Sequence, residues 1–315
     1  MQFEPDSPAF RVRDALAAGV PLSAMRTAAL AAPARGARIG AAHAATDPRA
    51  AFIASLRPLA RDDQFFSHTT AARVHGMPLP ARLADDPIHL ASPSFTSRMR
   101  REGVVGHRIK AIVVEVDGMR VESVADTFVH LGTSILGVDE LIEVGDWIVH
   151  PGREPRVSAL DLVEHARAFT GARGMRTVAA AIPQLRPGED SPGETRTRLL
   201  LRRAGLPEPV LQHQVRDGAA RLVATLDLAY PDHLVGIEYE GAHHRLDAGQ
   251  FTYDIARYAR LEALGWRIVR VTNLDIRDGG RRILPLVRDA RRTIGQQLQR
   301  IMRFRCNSCP IRRWK

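Results

Sequence analysis

The chain has 315 residues, of which 45% are hydrophobic and 25% charged, and carries a formal charge of +10. That length suffices for two domains with cores of their own, and the composition is that of an ordinary globular protein. No uninterrupted apolar run approaches the roughly 18 residues of a spanning helix, and MQFEPDSPAF has neither the basic nor the apolar part of a leader, so a cytoplasmic protein with no membrane partner is expected.

In chain order, Phe10–Ala18 has helical spacing and stops at Gly19, and Ser23 is placed to cap a second helix over Ala24–Ala32. Two short helices joined by a Gly-containing turn, followed by Arg35-Gly36-Ala37-Arg38, resemble a truncated winged helix-turn-helix over residues 1–40. On that reading the second helix enters a DNA major groove with Arg26 near it, while Arg35 and Arg38 touch phosphates; a plain alanine-rich hairpin is the alternative. Asp47 caps a predicted helix over Pro48–Leu56, with proline at its first position. Ser67 or Thr69 opens a helix ending at Gly76, strands are expected at Ile88–Ala91, Val104–Ile109 and Ile112–Val116, and Ser123 caps a helix over Val124–Leu131.

The run FSHTTAARVHGMPLP at 66–80, GVVGHR at 103–108 and VESVADT at 121–127 are similar to the AbiEi-like antitoxins of type IV toxin–antitoxin systems, over roughly residues 8–150. The resemblance implies an α+β antitoxin-like domain, assigned to residues 41–185, and a toxin as a partner. His68, His75, His89 and His107 match no compact ligand spacing, so they are read as buried histidines satisfied by backbone groups rather than as a metal centre. Val138–His150 and Val157–Phe169 read as amphipathic helices with Trp147 in the core, and Arg186–Gly193, with two prolines and two glycines, as a linker.

Beyond it Ser191 caps a helix whose first turn holds Pro192 and Glu194, an acid favoured there by the helix dipole. Two apolar runs, Leu222–Ala229 and Leu234–Tyr239, flank the turn signal Pro231-Asp232-His233 and suit neighbouring strands. Folding them about the midpoint of Pro231–Leu234 puts Asp227 opposite Glu238, with Cβ atoms about 5 Å apart, and Glu240 on the same face as Glu238. No cation lies in this stretch. Like charges opposed across a buried sheet destabilise it, so either a divalent cation offsets the cost or the acids are solvated at the surface.

The motifs SPGETR (191–196), LDLAYP (226–231), IEYEGAHH (237–244), QFxxD (250–254) and GWRIVRVT (265–272) resemble the endonuclease-like domain related to very-short-patch-repair nucleases, over residues 190–290. The resemblance implies an α/β protein whose C-terminal domain has the PD-(D/E)xK, restriction-endonuclease-like mixed sheet flanked by helices. It implies Mg²⁺, with Mn²⁺ as a substitute, held by Asp227, Glu238 and Glu240, and hydrolysis of DNA phosphodiesters in repair or phage defence. Glu240 stands where many such enzymes carry lysine, so it either completes the coordination or orients the water. Glu194 is then either a capping acid or a neighbour of the metal, and His243 or His244, the latter favoured, assists proton transfer. Gln250, Asp254 and Arg257 share one helix face, beside the site or as a solvated stripe.

Gly279–Lys315 holds eleven basic residues and one acid, so the whole excess of charge sits there; a basic tail over 291–315 either neutralises phosphates or is merely solvated. Its Cys306 and Cys309 lack the further ligands of a tetrahedral zinc site and are read as reduced thiols. A non-catalytic DNA-binding regulator is the rival expectation, and the residues leave RNA open as a substrate.

Overall fold

A computed structural model describes residues 9–93, 95–241 and 248–292, without the side chains of 248–254. The chain divides into two compact units, Met1–Ser134 and Ile135–Lys315. In the first, β1 (Phe10–Arg11), α1 (Val12–Ala17), β2 (Leu30–Ala31) and β3 (Ala37–Gly40) give a three-stranded antiparallel sheet of order β1-β3-β2. The second helix expected over Ala24–Ala32 does not form. Ala24–Arg26 is one turn of 3-10 helix, Ser23 makes no capping hydrogen bond, and Leu30–Ala31 joins the ladder instead. Alanine's helix propensity is a weak preference, and pairing with β3 overrides it. Arg38, expected on phosphates, donates from Nε to the Met25 carbonyl and from Nη1 to that of Ala37.

After α2 (Ala41–Thr46), Asp47 accepts the Arg49 and Ala50 N–H groups and starts α3 (Pro48–Leu56) as expected. Then follow β4 (Phe65–Phe66), α4 (His68–Val74), β5 (Ile88–Ser92), β6 (Val104–Arg108), β7 (Val113–Val116), β8 (Met119–Glu122) and α5 (Val124–Ser134). The strands form a mixed sheet of order β6-β5-β4-β8-β7. Phe66, Ile88, Leu90 and Val121 of this sheet pack with Ile53 and Leu56 of α3. Every residue of β5 is buried, the polar His89 and Ser92 included. Ser123 Oγ accepts the Asp126 N–H, so α5 starts where its sequence signal lies.

The second unit opens with α6 (Val138–Val149), α7 (Ala159–Arg167), α8 (Met175–Ala181) and α9 (Pro192–Arg203). Next come β9 (Val210–Arg216), β10 (Leu222–Tyr230), β11 (Val235–Glu240), α10 (Ala248–Ala263), β12 (Arg267–Thr272), α11 (Asn273–Arg277) and a helical segment over 283–292. The sheet has order β12-β11-β10-β9, antiparallel except for the parallel β11/β12 pair. On one face Leu228, Tyr230, Ile237 and Val271 meet Leu201 of α9 and Ile283 and Val287; on the other, Ala224 and Leu226 meet Leu261 of α10 and Trp266. A mixed sheet with helices on both faces is an α/β arrangement.

The β10–β11 register is Leu228↔Ile237, Ala229↔Gly236 and Tyr230↔Val235, the one that symmetry about the turn predicts. The boundary between units lies at Ser134/Ile135 and not at Arg186–Gly193. That stretch is fastened down: Glu189 is only 4% exposed and bonds to Arg198 of α9, which also reaches Asp146 of α6. Among the described residues no helix is long and apolar enough to cross a membrane.

Candidate functional site

Glu194 lies in the first turn of α9, which begins at Pro192 because Ser191 Oγ accepts the Glu194 N–H at 3.3 Å. Its carboxylate accepts from Ser191 Oγ (2.8 Å), the Asp190 N–H (3.0 Å) and Gln212 Nε2 (3.0 Å). Gln212 belongs to β9 and has a left-handed φ of 45°. Such a φ is uncommon outside glycine, and here it accompanies a side chain turned onto Glu194. The start of α9 can approach β11 because residue 193 is glycine: a Cβ there would stand 2.1 Å from the Tyr239 ring. Gly193→Ala is therefore expected to cost about 1–3 kcal/mol by overpacking, read as a lower urea midpoint. In a Tyr239→Ala background the same change should be nearly neutral; an equal loss in both backgrounds would remove this contact as the cause.

Asp227 lies on β10 just beyond the last paired residues, Leu228↔Ile237, and its Oδ2 accepts the Tyr239 N–H at 2.8 Å. No cation lies within ion-pair distance of Asp227 or Glu194 among the described residues. Burial and then the repulsion of Glu194 push the Asp227 carboxyl up to about 7, against the pull of the Tyr239 N–H. Glu194 is likewise raised, chiefly by burial. Half-buried Asp227 and buried Glu194 thus have hydrogen bonds but no ion-pair partner among the described residues, and the Arg257 charge lowers Asp227 less than burial and Glu194 raise it.

Glu238 and Glu240 depart from expectation. Glu238 is 6% exposed and turns to α10, where Arg257 forms an ion pair with it and Tyr258 Oη donates at 2.6 Å. Arg257 also donates to the Thr225 carbonyl at 3.1 Å. Glu240 pairs with Arg270, which follows from the parallel β11/β12 ladder placing Arg270 beside Glu238 and one strand away from Glu240. The stretch that lacks a cation in sequence thus receives two arginines from elsewhere in the chain, and the acid that repels Asp227 most is Glu194, with Glu238 a lesser contributor. Of the expected trio, Glu238 is ion-paired with Arg257 and Glu240 with Arg270, while Asp227 has no ion-pair partner among the described residues. Nothing local to the hairpin signals this. His243 and His244 lie outside the described residues, as do Cys306, Cys309 and the tail beyond 292. Gln250 and Asp254 are on α10, but their side chains are not described.

The histidines of the first unit also differ from their sequence reading. His75 Nε2 meets the Glu122 carbonyl at 2.8 Å, a backbone partner as expected. His68, His89 and His107 instead converge, each offering a ligand atom within 4.8 Å of the others. The His68 and His107 rings stack with centroids 4.1 Å apart. Burial and the neighbouring imidazoles push His68 down to about 2 and His107 to about 4, so both rings are neutral near pH 7. Their separations in sequence carry no motif, because two loops and a parallel strand pair bring them together.

Two uncharacterized proteins of Mycobacterium tuberculosis, from different strains, are each similar to this chain, at 26% identity over 208 residues, 66% of this chain and 74% of theirs. No family model matches the chain, and no solved structure matches it.

Proposed function

We propose that the second unit hydrolyses DNA phosphodiester bonds with a divalent cation held by Asp227 and Glu194. The observation that carries this reading is that half-buried Asp227 and buried Glu194 have no ion-pair partner among the described residues while Glu194 pushes the Asp227 carboxyl up: a hard ion such as Mg²⁺ or Mn²⁺, which prefers carboxylate oxygens, would relieve that repulsion. Asp227 Oδ1 accepts no hydrogen bond among the described residues and is the oxygen left to a ligand. When bound, the ion would polarise a phosphoryl oxygen and acidify a water. Gln212 and Ser191 hold the Glu194 carboxylate in one orientation. Arg257, fixed by Glu238 and the Thr225 carbonyl, supplies a guanidinium for a phosphate oxygen. In this revised assignment Glu238 is a positioning residue and Glu240 is the partner of Arg270. The mixed sheet flanked by helices is compatible with the PD-(D/E)xK resemblance and supports the same reading.

The test is cleavage of plasmid DNA by the full-length protein with Mg²⁺ or Mn²⁺. Cutting should disappear in EDTA and in Asp227→Asn, and fall strongly in Glu194→Gln. Equal cutting by wild type and Asp227→Asn would assign the activity to a contaminant or another site. Structured RNA offered in parallel decides the class of nucleic acid.

A further inference from the structure

We propose that His68, His89 and His107 bind one zinc-class divalent ion through three imidazole nitrogens, with a coordination position left for water or a further ligand. The inference concerns the first unit and is independent of the phosphodiester reading.

Three elements aim at one point. His68 is the first residue of α4, His89 lies on β5 and His107 on β6. In the parallel β5/β6 ladder Ala91 pairs with His107, so His89, two residues from Ala91, projects on the same face. His89 Nδ1 and His107 Nε2 are 2.8 Å apart. Around a tetrahedral ion with bonds of about 2.0–2.1 Å, ligand nitrogens stand about 3.3 Å apart, so a ring movement of about half an ångström makes room for it.

Two of the remaining nitrogens, on His68 and His89, stand beside the kinds of group that metal-binding histidines take. His68 Nδ1 is 3.0 Å from Ser67 Oγ, which leaves Nε2 for the cluster. His89 Nε2 is 3.0 Å from Asp86 Oδ2, a carboxylate behind the imidazole. That nitrogen is buried and lies off the line of a good hydrogen bond, on a residue only 6% exposed. Filling a core does not require three imidazoles, since buried ring nitrogens each need a partner and an aliphatic side chain needs none. His68 moreover has a left-handed φ of 52°, a conformation that costs about 1–3 kcal/mol and persists where surroundings enforce it. Three nitrogens with no carboxylate or thiolate among the ligands select zinc, cobalt, nickel or copper over magnesium or calcium. His107 is only half-buried and supplies the route to solvent.

The test uses the full-length protein, stripped with EDTA and titrated with Co²⁺, alongside a Cys306→Ser/Cys309→Ser variant in which thiolate binding is impossible. With Asp227→Asn added to both so that the carboxylate site of the second unit is silent, each protein should bind one equivalent, with visible cobalt bands, no intense sulfur-to-cobalt band in the near ultraviolet, and displacement by Zn²⁺. His107→Ala and His89→Ala should weaken binding about 100-fold, and Asp86→Asn about 10-fold. Absence of visible bands, loss of binding in the cysteine variant, or unchanged binding in the histidine variants would overturn the proposal. Should the histidine variants fail to fold, proton NMR of the cobalt-loaded cysteine variant decides. Three strongly shifted, exchangeable ring N–H signals are expected, and fewer than three would overturn the site.

Discussion

Arg198→Ala is expected to destabilise the protein by about 3–5 kcal/mol at pH 8, measured by urea unfolding, because it removes the cation from a buried acid cluster. The Arg198 side chain is wholly buried and bonds to Glu189 at 2.6 Å, Asp146 at 2.7 Å and the more exposed Glu208 at 3.2 Å. Thr195 Oγ1 stands 2.6 Å from Glu189 Oε2 and 3.0 Å from Asp146 Oδ2. A hydroxyl carries one proton, so it can donate to only one of these oxygens; the other contact calls for a proton on a carboxyl. Burial, reinforced by Asp146, pushes Glu189 up to about 8 and so places that proton there. At pH 8 the alanine variant leaves Asp146 and Glu189 without the buried guanidinium that both bond to. At pH 5 Glu189 is protonated, and the deficit should shrink. A deficit that is the same at both pH values would show that the ionisation of Glu189 contributes nothing to it. Adding Asp146→Asn and Glu189→Gln to Arg198→Met should recover much of the loss, since neutral groups of similar volume replace the ions together.

The second large effect joins stability to activity. Asp227→Asn should abolish metal-dependent cutting and, in EDTA at pH 8, raise stability by on the order of 1–3 kcal/mol. The folded protein holds the Asp227 proton up to about pH 7, whereas the unfolded chain releases it near the ordinary value of 3.8. Between those values the folded state binds more protons than the unfolded state, so stability falls as pH rises from about 4 to 7 and stays low above it. Asparagine has no charge to desolvate and still offers an oxygen to the Tyr239 N–H. The gain should therefore vanish at pH 4. A variant less stable than wild type at pH 8 would mark Asp227 as a structural acid and remove the main support for a cation there. A variant that is more stable and inactive is the signature of a group kept at a cost for its chemistry.

The contrast between Asp227 and Glu240 shows why one part of the site is legible in the residues and another is not. The pairing of β10 with β11 follows from two apolar runs and a turn between them, since slipping the register by one residue would turn the buried side chains outward. The position of Asp227 at the mouth of that hairpin follows with it. Which charges face the acids does not, because Arg257 and Arg270 arrive on α10 and β12, 19 and 30 residues from their partners. Glu194 is 33 residues ahead of Asp227, and the packing of α9 on β11, made possible by Gly193, is what lets its charge raise the Asp227 carboxyl.

By itself the sequence determined the features whose causes are short-range: the caps at Asp47, Ser123 and Ser191, the buried strands, the hairpin register and, among the described residues, the absence of a long apolar helix. Each depends on hydrogen bonds or side-chain alternation within a few residues. The tertiary structure alone decided that Leu30–Ala31 pairs as a strand, that arginines neutralise Glu238 and Glu240, that the Glu194 charge acts on Asp227, and that His68, His89 and His107 meet. These arise from contacts between segments far apart in the chain, where burial and electrostatics outweigh local preference and spacing carries no information about proximity.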